Sequence, residues 1–304
     1  MSKKHEVPTL PPQAKRSLGI KASNTISNIF IYILLAFIVV IWLFPFVCIV
    51  LQSFEVDKTS MSGNIIPVKW GLDNYIALFK EGNHFFKWYL NTFIIAVCVA
   101  IGQTVIQLCM SYTLSRFRFK LRKPLMQLML ILGMFPGMLG MIILYNVLKG
   151  FTPGSVGLTQ SNALPGLILV SIASSGMGYY VSKGFFDTIP KSLDEAARID
   201  GATRLQILYR VILPLAKPIV IYTVLSAFMG PWGDFVFARY VAMGNVAGMN
   251  VAVGLNSWLS ADQIPYMYTQ FCAGGVVVAL PVTLLFLFLQ KYYVEGVTGG
   301  AVKG

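Results

Sequence analysis

The chain has 304 residues, of which 56% are hydrophobic and only 12% are charged. Soluble domains carry roughly a quarter charged residues. Six long apolar runs of about 20 residues each would fill about two fifths of this chain, leaving short loops and no room for a separate catalytic domain. The formal charge of +12 raises the question of a nucleic-acid partner. No basic stripe with interleaved aromatics lies outside the apolar runs, which argues against one.

Residues 1–28 are polar, with Lys3, Lys4, Lys15, Arg16 and Lys21 and the proline-bearing stretch Pro8–Pro12, and read as a flexible tail. The first apolar run covers about 29–51. It is too long for a signal-peptide core, and no small-x-small cleavage site follows it, so it reads as a retained signal anchor. Further spans are expected over about 88–114, 124–148, 163–185, 218–242 and 271–290, the fifth interrupted by Gly230, Pro231 and Gly233. Residues 293–304 form a short C-terminal tail. The fold class expected is therefore all-α, with six transmembrane helices in one domain over 29–292.

Each cysteine (Cys48, Cys98, Cys109, Cys272) sits inside an apolar run without CxxC or CxxH spacing, and His5 and His84 lie outside the spans. Neither a metal site nor a disulfide framework is indicated.

An even number of spans puts both termini on one side. Eighteen of the 24 Lys and Arg fall on that side and five on the other, with Arg239 near a span end. By the positive-inside rule both termini are cytoplasmic. The first external loop carries Trp70, Tyr75, Phe85, Phe86 and Trp88, aromatics expected to anchor at the membrane interface.

The most informative segment is the cytoplasmic loop 187–217. Ser192 stands three residues before Glu195, the spacing of a capping box, which predicts a helix from Leu193. Gly201 suits a left-handed C-terminal cap, and Thr203 with Gln206 repeats the capping spacing. The expectation is two short helices around a glycine turn. Leu193, Ala196, Ala197 and Ile199 give the first helix an apolar face with small residues. A helix of two turns is marginal alone, so this face either docks on a partner or lies along the membrane surface.

Glu195-Ala196-Ala197, Gly201, Val211 and Leu213-Pro214 together resemble the signature loop of ABC importer permeases, with valine at 211 where isoleucine is usual. Gly184–Pro190 and Arg116-Phe117-Arg118-Phe119 resemble the carbohydrate-uptake branch, and Gly296–Gly304 resembles the tail of the maltose-type second permease subunit. The resemblance covers roughly residues 25–304. It implies a type I importer permease in a bacterial cytoplasmic membrane. It also implies a second, different permease subunit, two ATPase subunits that hold Mg-ATP, and an extracytoplasmic sugar-binding protein. Glu195, Ala196, Ala197, Gly201, Leu213 and Pro214 would then belong to a coupling helix seated on the ATPase. This chain has no G-x-x-x-x-G-K-[ST] phosphate loop, so it is not expected to be an enzyme or to bind a cofactor itself. Maltose or maltodextrin is the leading substrate, with galacto-oligosaccharides as the alternative.

For a translocation pathway the candidates are polar groups within spans. Asp234 lies beside Trp232 in the broken fifth span, and an intramembrane carboxylate is a functional candidate by default. It either lines a path or pairs with Arg239 or the partner permease. Gln103 and Gln107 share one face of the second span and serve either sugar or interhelical hydrogen bonds. Tyr145 and Asn146 complete the set, with Tyr179 and Tyr180 near span ends. Gly133, Gly137 and Gly140 suit close helix packing. A membrane-embedded enzyme would need a metal set or a nucleophile–base pair that is not present. A channel or secondary transporter would have no use for a capped Glu-Ala-Ala loop.

Overall fold

A computed structural model describes the backbone of residues 14–56, 64–134, 137–150, 157–260 and 262–301. Pro8–Pro12 and Val302–Gly304 lie outside these residues. The described chain is almost wholly helical, with one isolated bridge between Glu55 and Trp70.

Helix α1 spans Ala14–Ser53 and α3 spans Phe85–Arg116, with the short α2 (Asp73–Leu78) between them. The first helix thus starts within the segment expected to be a flexible tail. The expected third span falls on α4 (Arg122–Gly133) and α5 (Gly137–Gly150). The fourth is interrupted: α6 (Ala163–Ala173) and α7 (Tyr179–Thr188) are joined by a 3-10 stretch over Ser174–Gly178, a sequence of small residues with weak helix propensity. Then follow α8 (Lys191–Ile199), α9 (Arg204–Leu215) and α10 (Lys217–Gly233). The short α11 (Val236–Ala242) and α12 (Val251–Ser257) precede the long α13 (Ile264–Ala301). Among the described residues three helical segments, Asn28–Ser53, Phe85–Arg116 and Ile264–Lys291, are long and apolar enough to cross a membrane, and α9 with α10 forms a further, bent candidate.

Helix α3 is the central post, packed along α10, α7 and α6. Its buried residues recur every three or four positions and include Asn91, Thr92, Gln107 and Ser111. Buried polar groups must be paired, and here they hold neighbouring elements. Trp88 Nε1 donates to the Val246 carbonyl at 3.2 Å, Asn91 Nδ2 to Met249 O at 2.8 Å, and Thr92 Oγ1 accepts the Val251 N–H at 2.8 Å.

These bonds correct one sequence expectation. Phe85 and Trp88 are core residues, 0% and 4% exposed, stacked or tilted against Trp258 rather than anchored at an interface. The segment 246–258, which contains α12, returns over them, and Gly254 permits it. A Cβ at that position would lie 2.1 Å from the Trp88 ring. Trp70 and Phe86 do remain exposed.

Two apolar clusters divide the molecule. One gathers Phe85, Trp88, Ile95, Val99, Phe228, Trp232 and Trp258. The other surrounds Tyr112, Phe186, Ile207, Leu208 and Ile212, at the far end of α3 beneath α8 and α9.

Candidate functional site

Helix α8 begins at Lys191, directly after Pro190 at φ −57° and ψ 133°, and no side chain caps it. Ser192 therefore does not cap the helix as expected. Pro190 already fixes the last extended residue, with its ring-locked φ, and leaves Ser192 inside the first turn. The other end follows the expectation. Gly201 has φ +81°, its N–H donates to Arg198 O at 3.0 Å, and the Ala202 N–H donates to Ala197 O at 2.9 Å. These are the two bonds of a Schellman cap. Thr203 and Gln206 form a full capping box: Thr203 N donates to Gln206 Oε1 at 2.7 Å, and Gln206 N to Thr203 Oγ1 at 3.3 Å.

Helix α9 carries a π turn over Leu208–Ile212, just before Pro214, which has no N–H for the regular ladder and whose ring crowds the preceding turn. Leu213 and Pro214 lead into a corner at Ala216, after which α10 runs at 89° to α9.

Helix α8 keeps most of its apolar face outward and turns a carboxylate inward. The residue it buries is Asp194, at 5% exposure. Ala197 lies half-buried beside it, while Leu193, Glu195, Ala196 and Ile199 point outward. Ile199 is 87% exposed and Leu205 on α9 is 70% exposed. Asp194 faces inward because Arg116 meets it there. Arg116 Nε lies 3.0 Å from Asp194 Oδ2, and both side chains are almost fully buried. The Arg116 Nη2 donates to the Ile189 carbonyl at 3.0 Å.

The next residue continues the clamp. The Phe117 ring lies 4.5 Å beneath the Arg204 guanidinium, edge-on to Tyr112, whose hydroxyl donates to Arg204 O. At the end of α7, Ser115 Oγ donates to Asp187 Oδ1 at 2.6 Å, and Lys183 Nζ pairs with Oδ2. Burial pushes the Asp187 carboxyl up, but the Lys183 and Ser115 hydrogen bonds and the Lys183 and Arg122 charges outweigh it, and the net shift is downward.

The pathway candidates separate. Gln103 and Asp234 line one cavity of about 220 Å³ among α3, α6 and α10, together with Ser171, Ser174, Ser226 and Asn250. The Asp234 carboxylate also accepts the backbone N–H groups of Phe237 and Ala238 at the start of α11. It makes no ion pair with Arg239, which donates to Asn256 Oδ1 at 3.1 Å. The expected break in the fifth span falls later than expected. Helix α10 passes through Gly230 and Pro231 and ends at Gly233. Asn250 Nδ2 reaches the freed carbonyls of Asp234 (2.6 Å) and Pro231 (3.4 Å) and so stabilises the break, while its Oδ1 caps α12.

Gln107 is elsewhere. It is buried and donates to Gly178 O at 2.9 Å and Ser182 Oγ at 2.8 Å, and it lies 3.5 Å from Thr223 Oγ1, which makes it a bolt between α3, α7 and α10. Trp232 turns away from the cavity, edge-on to Tyr89 and against Phe228. Tyr145 packs edge-on against Tyr240, which borders a second cavity of about 670 Å³ with Arg239, Asn256, Ser257 and Ser260. Asn146 is exposed. Among the described residues no side chain or backbone lies within 4 Å of a Cβ placed on Gly140; Gly137 falls where side-chain surroundings lie outside the described residues.

Sequence reasoning missed Asp194 and Asn250. The first hid beside Glu195 because adjacent helical residues face about 100° apart, and the second lay in a loop with no motif. The Arg116–Phe117 pair directly after an apolar span was the available signal.

The chain is similar to known proteins in sequence and in fold. The family of binding-protein-dependent transport system inner membrane components matches residues 107–299. The galactooligosaccharides transport system permease protein of Bacillus subtilis (strain 168) is 35% identical over 287 residues, 93% of this chain and 98% of that one. A maltodextrin transport system permease protein of the same organism is 32% identical over 290 residues, 94% and 100% of the two chains. Among solved structures, a bacterial ABC transporter involved in import of the acidic polysaccharide alginate aligns with a TM-score of 0.70 at 21% identity, covering 94% of this chain and all of that one. The fold is that of an ABC importer permease, and the chain belongs to the family of binding-protein-dependent transport system inner membrane components.

Proposed function

We propose that this chain is one of two different permease subunits of an ATP-driven oligosaccharide importer, with α8 and α9 as the element that docks on an ATPase. The carrying observation is the division of labour on α8. Asp194 faces the body and is held by Arg116, while Glu195, Ala196 and Ile199 stay outward. An exposed isoleucine next to small residues, on a helix capped at its C-terminal end, suits a cleft in a partner.

In this reading ATP-driven closure of the ATPase pair, which holds Mg-ATP, moves α8 and α9. The spans then alternate between outward- and inward-open states through their differential ligand affinity. Both termini and the docking element face the cytoplasm, and an external sugar-binding protein delivers the substrate. The cavity of Gln103, Asp234, Ser171 and Ser226 supplies hydroxyl-compatible donors and acceptors along the path.

The substrate is a neutral oligosaccharide. The C-terminal resemblance favours maltodextrin. The relative at 35% identity favours a galacto-oligosaccharide. The deciding experiment reconstitutes this chain with its partner permease, ATPase and binding protein, and measures ATP hydrolysis and uptake with each sugar. Uptake without any ATPase subunit would refute the importer reading. Stimulation by only one sugar class identifies the substrate.

A further inference from the structure

Arg118, Lys120, Arg122 and Lys123 place four cations within six residues. With Phe119 and Met126 they line a cavity of about 380 Å³ at the foot of α4. No carboxylate borders it, and among the described residues Arg118, Lys120 and Lys123 make no ion pair. Arg122 does sense the Asp187 charge, but that carboxylate already bonds Lys183 and Ser115.

The surroundings are as informative as the charges. Leu121 is 65% exposed, Phe119 is exposed, and α4 buries none of its residues. Leu128, Leu130, Ile131 and Leu132 carry the apolar surface onward from the cations. A free phosphate would answer the charges and leave this surface in water. A ligand with an anionic head and hydrocarbon chains answers both, since basic pockets at the membrane boundary attract lipid head groups.

We propose that Arg118, Lys120, Arg122 and Lys123 bind the phosphate of an anionic phospholipid, whose acyl chains lie on the apolar surface of α4. The site is independent of the transport reading, because it concerns lipid retention and not uptake. It is also adjacent to the coupling element. Arg118 borders the neighbouring cavity that contains Arg116, Asp194, Glu195 and Arg204, so a bound head group adds its charge beside the clamp on α8.

The test is native mass spectrometry of the full chain in mild detergent, titrated with phosphatidylglycerol or phosphatidylcholine. The attraction seen per surface cation, compounded over three, predicts a preference of roughly 100-fold for phosphatidylglycerol at one lipid per chain. R118Q/K120Q/K123Q should lower that preference to about fivefold or less, the share of the remaining Arg122, while R118K/K120R/K123R should keep it. K80Q/K87Q/K149Q removes the same charge from exposed positions that border neither cavity and should leave it unchanged. Glycerol 3-phosphate separates the two anion sources, and at equal concentration it should not displace the lipid. Equal retention of both lipids by the unmodified chain would overturn the proposal. So would loss of preference in the charge-keeping or the distant variant, persistence in R118Q/K120Q/K123Q, or displacement by glycerol 3-phosphate.

Discussion

Arg116 and Asp194 form a buried ion pair, Nε to Oδ2 at 3.0 Å, that ties the end of α3 to the inward face of α8. Removing one partner leaves a buried charge uncompensated, at a cost of about 3–5 kcal/mol. Arg116→Met and Asp194→Leu alone should each lower the thermal midpoint of the detergent-solubilised chain and weaken ATPase stimulation in the reconstituted importer. The double variant should recover most of the stability, because an apolar pair of similar volume replaces both charges. Single variants as stable as the parent would show that the pair contributes nothing.

Gly201 separates conformation from space. A Cβ there meets no atom within 4 Å, yet φ is +81°. Gly201→Ala should therefore cost about 1–2 kcal/mol through the left-handed backbone alone, and Gly201→Asn should be milder because asparagine visits that region. Gly201→Pro also removes the N–H to Arg198 O and should abolish coupling, as should Glu195→Lys by reversing an outward charge. Both are read by sugar-stimulated ATP hydrolysis with membrane insertion checked separately. Normal uptake in either variant would count heavily against the docking role.

Gln103 and Gln107 should behave as opposites despite sharing a helix face. Gln107→Ala strips a donor from Gly178 O and Ser182 and should cost about 1–2 kcal/mol of stability. Gln103→Ala should leave the melting midpoint nearly unchanged and raise the KM for uptake, because its amide borders the Asp234 cavity. A KM effect in Gln107→Ala without destabilisation would reverse the assignment.

Asp187 predicts an acid limb. Its carboxyl sits below the ordinary 3.8, so its contribution is complete above that value and is lost as pH falls through the lower folded value. The stability difference between the parent and Asp187→Asn should therefore be constant near neutrality and shrink below about pH 4. Its size should stay under about 1 kcal/mol, since the pair is partly exposed. A difference that grows on acidification would contradict this sign.

Local chemistry was the legible part. Gly201 and the Thr203–Gln206 box act within a few residues of chain, and the structure forms both as the spacing implies. The apolar periodicity of α3 was equally plain. What could not be read were pairings across sequence distance. Asp194 faces inward because Arg116 waits there, 78 positions earlier by their numbering. Phe85 and Trp88 look like interfacial aromatics until a loop about 160 residues later in the same numbering folds over them. The Asp234 alternatives turned on the Ala238 and Phe237 N–H groups that hold its carboxylate and on Asn256, which takes Arg239. Leu213 and Pro214, which the family resemblance groups with the coupling residues, turn the corner between α9 and α10.

That 89° corner gives the two arms the geometry of a crank. A push on α9 along its own axis acts perpendicular to the axis of α10 and rocks it rather than sliding it. The Asp234–Phe235 break lies at the far end of α10, so a small displacement at Thr203 becomes a swing at the rim of the cavity. Under the docking role proposed for α8 and α9, stiffness at Leu213–Ala216 would set the stroke: a looser corner would absorb the motion before it reached Gln103, and the proposed ATPase would turn over without moving cargo.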